Sequence, residues 1–142
     1  GTPQALAERL QNRKSAQNKK YYDLFISHSS RDRGPVRRVV EAANALGMSS
    51  YVDWTEDNDF LKRSMVSEYT REVLKVRMKQ SGCLLYLSSE NSRASEWVAF
   101  ELDYYERDLK RNPRMLILNG DDPHKYERVQ LEQLKQLKRD KK

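Results

Sequence analysis

The spacing of apolar residues along the chain predicts strands that alternate with helices. Four short apolar runs have the length and composition of buried strands, at 22–27, 50–53, 83–87 and 115–118. Three longer segments place apolar residues at helical spacing, over about 35–46, 62–80 and 95–110. Three leucines after the fourth run predict a short last helix, at Leu131, Leu134 and Leu137.

This order of elements predicts an α/β domain with a parallel sheet and helices on both of its faces. Ligands of such sheets bind beyond the carboxyl ends of the strands. Three loops follow strand ends and are predicted to line a crevice there, at 28–34, 53–60 and 88–95. Residues 1–20 are polar and are interpreted as a linker or the end of a preceding helix, which leaves 21–142 as the domain.

The net charge of +6 lies towards the two ends of the chain. Residues 22–118 contain 15 basic and 15 acidic side chains, and this balance argues against a nucleic-acid groove in the core of the domain. Solvated tails explain the excess better than an acidic partner does. Because no apolar run approaches the roughly 20 residues of a membrane span, no membrane partner is expected.

The chain has one cysteine, Cys83, which lies inside an apolar run. A single cysteine excludes a disulfide within the chain and argues against a thiolate metal site. We therefore expect a reducing, cytoplasmic location. His28 and His124 are isolated from other metal ligands and from any nucleophile–base motif, so no metal is predicted.

The segment from Ser95 to Leu102 offers the sharpest candidate chemistry. On a helix, Trp97 and Glu101 lie one turn apart on the same face. An aromatic ring beside one carboxylate can hold a flat ligand ring against an acid. In the alternative interpretation Trp97 belongs to the core and Glu101 is solvated. Helix geometry alone favours that alternative, and the position at the head of a helix beside the predicted crevice reduces the preference.

The loop after the first strand, at 28–32, offers hydroxyls and backbone N–H groups that could bind phosphate. It lacks the glycines of the dinucleotide and P-loop motifs, so an equal alternative is that Ser30 or Asp32 caps the following helix. Asp53 ends the second strand and could accept hydrogen bonds from ribose hydroxyls. Trp54 could stack on a ligand, although anchoring its loop is the favoured role.

Two segments of the first half resemble motifs of Toll/interleukin-1 receptor (TIR) domains. Tyr22–Ser30 resembles the (Y/F)DVFISxxxxD opening of the family, and Asp32 fits its acidic position. Gly47–Asp53 resembles the second strand, which leads into the loop called BB in this family, here about 54–62.

Two further segments follow in the family's order. Cys83–Ser88 resembles the third strand, and Ser95–Leu102 resembles the S-x-W-(C/V)-x-x-E-L helix start. The resemblance covers about 21–118 and implies a flavodoxin-like, doubly wound parallel sheet of four or five strands. The chain departs from the family in two respects: no clear fifth strand follows Leu118, and the loop 28–33 is not the arginine-led version of some active members.

The resemblance also implies roles for individual residues. Glu101 matches the catalytic glutamate of TIR domains that hydrolyse NAD, and Trp97 matches the aromatic residue on the nicotinamide side of the pocket. The remaining substrate-binding positions are expected at His28, Ser29, Ser30, Asp53 and Trp54. The BB loop takes part in assembly and gating, here with Glu56, Asp57, Asp59 and Phe60. NAD is then the substrate, and no cofactor is expected.

These roles imply an NAD nucleosidase, a hydrolase or an ADP-ribosyl cyclase, that is active when TIR domains self-associate. The expected context is innate immune, antiviral or cell-death signalling. One alternative is a non-enzymatic scaffold that makes TIR–TIR contacts only, and the presence of Glu101 favours the enzyme over it. A more distant alternative is a base-exchange or nucleoside-transferring enzyme on the same fold.

Overall fold

A computed structural model describes residues 21–52, 67–118 and 123–140, without the side chains of 67–70 and 123–129. Four strands form one sheet in this part of the chain: β1 (Tyr22–Ser27), β2 (Ser50–Tyr51), β3 (Ser81–Ser88) and β4 (Arg114–Ile117). All neighbouring strands pair in parallel, in the order β2-β1-β3-β4. The predicted parallel α/β sheet is therefore confirmed, with β1 at an interior position.

The helices of the described residues cover both faces of this sheet. They are α1 (Arg33–Ala45), α2 (Ser67–Lys79), α3 (Glu90–Arg93), α4 (Glu96–Asp103) and α5 (Pro123–Asp140). One apolar cluster joins α1 and α5 to Leu24 and Ile26 of β1, and the other joins α2 and the end of α4 to Phe25. Because neighbouring residues of a strand point to opposite faces, β1 contributes to both clusters.

Helix α1 ends where the sequence predicts. Gly47 has a φ of +84°, and its N–H donates to the carbonyl of Asn44. This left-handed conformation is favourable for glycine, which has no Cβ. Pro35 lies in the first turn of α1, where its missing N–H costs no helical hydrogen bond.

The last helix and strand β3 are longer than the sequence predicts. The last helix is 18 residues long rather than short. Its sequence is mostly polar, and among its leucines only Leu134 and Leu137 are buried. Strand β3 begins at Ser81, two residues earlier than predicted, since its first residues are polar or small.

Helix α3 occupies part of the predicted loop 88–95. Ser89 begins it with a reciprocal pair of hydrogen bonds. The Ser89 Oγ accepts from the Ser92 N–H, and the Ser92 Oγ accepts from the Ser89 N–H. Four residues are too few for a helical period to be visible in the sequence. Only this capping box, which pairs two serines, could have indicated the helix.

The sequence predicts a helix that continues to about residue 110, but the α-helix α4 ends at Asp103. It passes into a π-helical turn at Tyr104–Asp108, in which the Leu109 N–H donates to the Tyr104 carbonyl at 3.1 Å. The turn ends at Lys110, whose φ is 58°. Wide turns of this kind are frequent near functional sites.

We expect Lys110→Gly to raise the free energy of unfolding by about 1 kcal/mol, because an L-residue with a side chain is strained in the left-handed region. Urea unfolding of the two proteins measures the change. Gly47→Ala is the matched opposite change and should lower the free energy of unfolding. Its new Cβ would lie at an ordinary 3.6 Å from the Lys138 Nζ, so only the positive φ would be unfavourable. A glycine at 110 that lowers stability would contradict the prediction.

Candidate active site

The carboxyl end of β1 and the first turns of α4 bring together two buried polar side chains. The Ser27 Oγ donates a hydrogen bond of 2.7 Å to the Glu101 Oε1. Ser27 is completely buried and Glu101 is 3% exposed. Burial of a carboxylate is costly unless hydrogen bonds compensate for the lost water. Glu101 is therefore not the solvated acid of the alternative interpretation.

Local signals place Glu101 at this position along α4. The Ser95 Oγ accepts from the Val98 N–H at 3.2 Å and begins the helix. Glu101 lies in the second turn, where the helix faces β1. Val98, one turn earlier, is buried in the same interface between helix and sheet.

Trp97 lies one helical turn before Glu101 and is 37% exposed. Its ring meets Phe100 edge-on, with 6.3 Å between the centroids, and Phe100 stacks on Tyr104. A little over a third of the residue's surface therefore remains open to solvent. Trp97 and Glu101 lie one turn apart on α4, the first exposed and the second buried.

Two cations of helix α2 contact aromatic rings of α4 and of the π-helical turn that follows it. The Arg71 guanidinium lies 5.8 Å from the centroid of the Phe100 ring, and the Lys75 Nζ lies 5.3 Å from that of Tyr104. Such contacts contribute about 0.5–1 kcal/mol each at exposed positions. They add modestly to the packing of α2 against the segment that carries Trp97 and Glu101.

The loop after β1 is only partly open to a ligand. His28 is buried, with its Nδ1 3.3 Å from the Ile26 carbonyl oxygen. Ser29 is also buried, and its Oγ accepts from the Arg31 N–H at 3.2 Å. Ser30 is exposed. Of the three predicted nucleotide-contacting residues in this loop, Ser30 is the one presented to solvent.

Asp32 connects the loops that follow β1 and β3. The Ser89 Oγ donates to its Oδ2, and the Asn91 Nδ2 donates to its Oδ1 at 2.8 Å. At the start of α1 its side chain makes no capping hydrogen bond. The interpretation of Asp32 as a helix cap is therefore wrong, because two partners nearly 60 positions away provide better donors.

Ser27 and Ser89 are the polar residues of this site that sequence reasoning did not single out. Ser27 ends an apolar strand and Ser89 follows one, and this position is the signal in the sequence that could have indicated them. Their hydrogen-bond partners, Glu101 and Asp32, are distant in the sequence. The predicted residues of the second loop lie outside the described residues and stay predictions: Asp53, Trp54, Glu56, Asp57, Asp59 and Phe60.

Cys83 is not a candidate nucleophile. Burial raises the pKa of its thiol above the ordinary value and keeps it protonated. Cys83 borders a pocket of about 360 Å³ at the opposite end of the sheet, where the strands begin. Tyr21 and Arg114 also line this pocket. That pocket contains neither Glu101 nor Trp97. The chemistry of the side chains, not the volume of the cavity, therefore identifies the candidate site.

Within 21–52, 67–118 and 123–140, no three His, Cys, Asp or Glu side chains are grouped so that they could hold a metal ion. In the same ranges, no helix is both long and apolar enough to cross a membrane.

A parallel α/β sheet with an acid held at the carboxyl end of an interior strand defines a class of crevice-binding domains. Within this class the chain belongs to the TIR domain family, whose model matches residues 24–141. This match confirms the family that the sequence motifs indicated. No solved structure matches the chain.

Curated relatives of the chain are named as cyclic ADP-D-ribose synthases. The "Putative cyclic ADP-D-ribose synthase TIR2" of Cytobacillus dafuensis is 50% identical over 103 residues, which are 72% of this chain and 27% of the relative. The "Probable 3' cyclic ADP-D-ribose synthase ThsB'" of Bacillus cereus (strain MSX-D12) is 40% identical over 93 residues, 66% of this chain and 48% of the relative.

A third relative is less similar in sequence. The "Probable 2' cyclic ADP-D-ribose synthase TcpO" of Methanobrevibacter olleyae is 30% identical over 121 residues, 82% of this chain and 33% of the relative. The chain thus spans between about a quarter and a half of the length of these relatives.

Proposed function

We propose that this TIR domain cleaves the bond between nicotinamide and ribose in NAD, with Glu101 as the catalytic carboxylate. The observation that carries the proposal is the buried Glu101, held by Ser27 one turn below an exposed Trp97. The relatives' names, which are those of cyclic ADP-D-ribose synthases, support NAD as the substrate. A scaffold that makes only TIR–TIR contacts has no need for this buried acid.

The chemistry suits one acid. In NAD the nicotinamide ring is a cation bonded to the ribose. When this bond breaks, the ring takes the electron pair and leaves as neutral nicotinamide, so no strong general acid is required. Positive charge develops on the ribose, as it does in glycoside cleavage, where two carboxylates are usual. A single preorganised carboxylate can stabilise that charge and orient the ribose hydroxyls.

The fate of the ribose carbon separates hydrolysis from cyclisation. Attack by water forms ADP-ribose and releases a proton. Attack by a hydroxyl of the same dinucleotide forms a cyclic ADP-ribose, which contains one water fewer than ADP-ribose, again with release of one proton. We propose a cyclic ADP-ribose as the main product, because all three relatives are named for cyclic products.

Chromatography of NAD incubated with concentrated protein tests this function. We expect NAD to disappear, and nicotinamide and a cyclic ADP-ribose to appear in equal amounts. Nucleosides in place of NAD should not react, which separates the proposal from a nucleoside-transferring enzyme. Stable NAD in the presence of folded, self-associated protein would refute the enzyme and favour the scaffold.

We further propose that activity depends on self-association, in a cytoplasmic signalling role in immunity or cell death. The acidic residues Asp57 and Asp59 would dock on a basic surface of a second copy, such as Arg37 and Arg38 or the basic segment 71–77. A head-to-tail contact of this kind does not close on itself and can extend.

Specific activity should therefore rise severalfold over a hundredfold increase in protein concentration. It should fall as salt is raised, because contacts between exposed charges are screened. Asp57→Lys or Asp59→Lys should lower the activity without changing the melting temperature, and Glu106→Lys on an exposed position of the π-helical turn is the control. Constant specific activity in a demonstrably monomeric protein would contradict the prediction.

A further inference from the structure

The last residue of β1 contacts the proposed catalytic acid directly. We infer that Ser27 is a positioning residue for Glu101: its hydroxyl selects the orientation in which the carboxylate acts. The inference rests on the proposed function, since it assigns to Ser27 a role in the same reaction. The contact joins positions 74 residues apart, with 2.7 Å between the Ser27 Oγ and the Glu101 Oε1.

Ser27 is well suited to hold another side chain in place. It ends a strand that pairs with β3 through this position, where Ser27 is the partner of Tyr86. It is completely buried, so water does not compete for its hydroxyl. A serine side chain has one heavy-atom rotation, and its only donor is engaged by the carboxylate.

Glu101, in contrast, is long and flexible. Three side-chain torsions separate its carboxylate from the α4 backbone, and the helix alone does not determine them. Fixing such a side chain costs conformational entropy. If Ser27 fixes it in the folded protein, that cost does not add to the barrier of the reaction, which is the benefit of a preorganised site.

The hydrogen bond leaves the chemistry of Glu101 intact. The Ser27 hydroxyl donates, and the Glu101 Oε1 accepts. Ser27 therefore directs the carboxylate without removing its negative charge, which the proposed reaction uses to stabilise the ribose cation. A loss of this bond should act on the rate of the chemical step rather than on the capture of the substrate.

The chain supplies a closely matched control. Ser81 begins β3, is 2% exposed, and donates from its Oγ to the Arg77 carbonyl at 2.7 Å. It therefore shares the burial and the hydrogen-bond length of Ser27. Because Ser81 lies at the other end of the parallel sheet, where the strands begin, it is remote from Glu101.

Steady-state kinetics of Ser27→Ala, Ser27→Thr and Ser81→Ala test the inference. We expect Ser27→Ala to lower kcat by about tenfold or more, the usual consequence of losing a hydrogen bond to a charged group, and to leave KM within about twofold. Ser27→Thr, which keeps the hydroxyl, should recover most of kcat. Ser81→Ala should lower the melting temperature to a similar extent as Ser27→Ala and leave kcat unchanged.

An unchanged kcat in Ser27→Ala would overturn the inference, as would an equal loss of kcat in Ser81→Ala. The methyl group of threonine enters a fully buried position, so the two alanine variants decide the matter if Ser27→Thr does not fold.

Crystal structures of the wild type and Ser27→Ala give a test that is independent of turnover. We expect one orientation of the Glu101 carboxylate in the wild type and two or more in the variant. The same single orientation in both would refute the positioning role. If the wild type does not cleave NAD, the proposed function fails, whereas this comparison still decides whether Ser27 orients Glu101.

Discussion

Glu101→Gln should reduce NAD cleavage by about 10²- to 10³-fold, the usual cost of removing one preorganised electrostatic group from an active site. The substitution keeps the size of the side chain and an oxygen that can accept the Ser27 hydrogen bond. The fold should therefore be retained, with a melting temperature close to that of the wild type. Nicotinamide release, followed by chromatography, measures the loss of activity.

Glu96→Gln is the matched control for this experiment. Glu96 is an exposed acid on the same helix, so its neutralisation should leave turnover unchanged. Glu101→Ala should be as inactive as Glu101→Gln but less stable by about 1–3 kcal/mol, because the buried Ser27 hydroxyl loses its acceptor. Turnover at the wild-type rate by folded Glu101→Gln would end the proposal that this acid is catalytic.

Trp97→Ala should raise KM and lower kcat, so that kcat/KM falls by about tenfold or more, in proportion to the roughly 1–3 kcal/mol of a stacked ring. The exposure of the indole, and its single edge-on contact with Phe100 among the aromatic contacts of the described residues, indicate that the ring is available to a ligand. The loss of stability should stay below about 1 kcal/mol, as for an exposed position. Kinetics and thermal unfolding measure the two effects.

Trp97→Phe is the conservative comparison, because it keeps an aromatic ring at this exposed position of α4. It should recover most of kcat/KM. If Trp97→Ala instead costs the roughly 3–5 kcal/mol of a buried aromatic residue, the interpretation of Trp97 as part of the core is correct.

The identity of the main elements was predictable because it depends on local patterns. Apolar runs and helical spacing predicted four parallel strands and the helices between them, and these were confirmed within the described residues. Gly47 indicated the end of α1 because glycine is favoured where φ is positive. Trp97 and Glu101 could be placed on one face since helix geometry alone sets their spacing.

Details that depend on neighbours distant in the sequence were not predictable. Asp32 could equally have capped α1, and only the folded chain brings Ser89 and Asn91 within reach of its carboxylate. The four-residue helix α3 and the π-helical turn after α4 were not predictable for a different reason: local hydrogen bonds determine them, and no apolar period reveals those bonds.

By itself, the sequence determined the order of strands and helices, the family, and a helix that presents an acid one turn from a tryptophan. The tertiary structure decided whether that acid is solvated or buried. Glu101 is buried because α4 packs against the end of β1, and it can be buried because Ser27, 74 positions earlier, donates a hydrogen bond to it. A helical period encodes which face a residue occupies, but only the assembled sheet determines what that face meets.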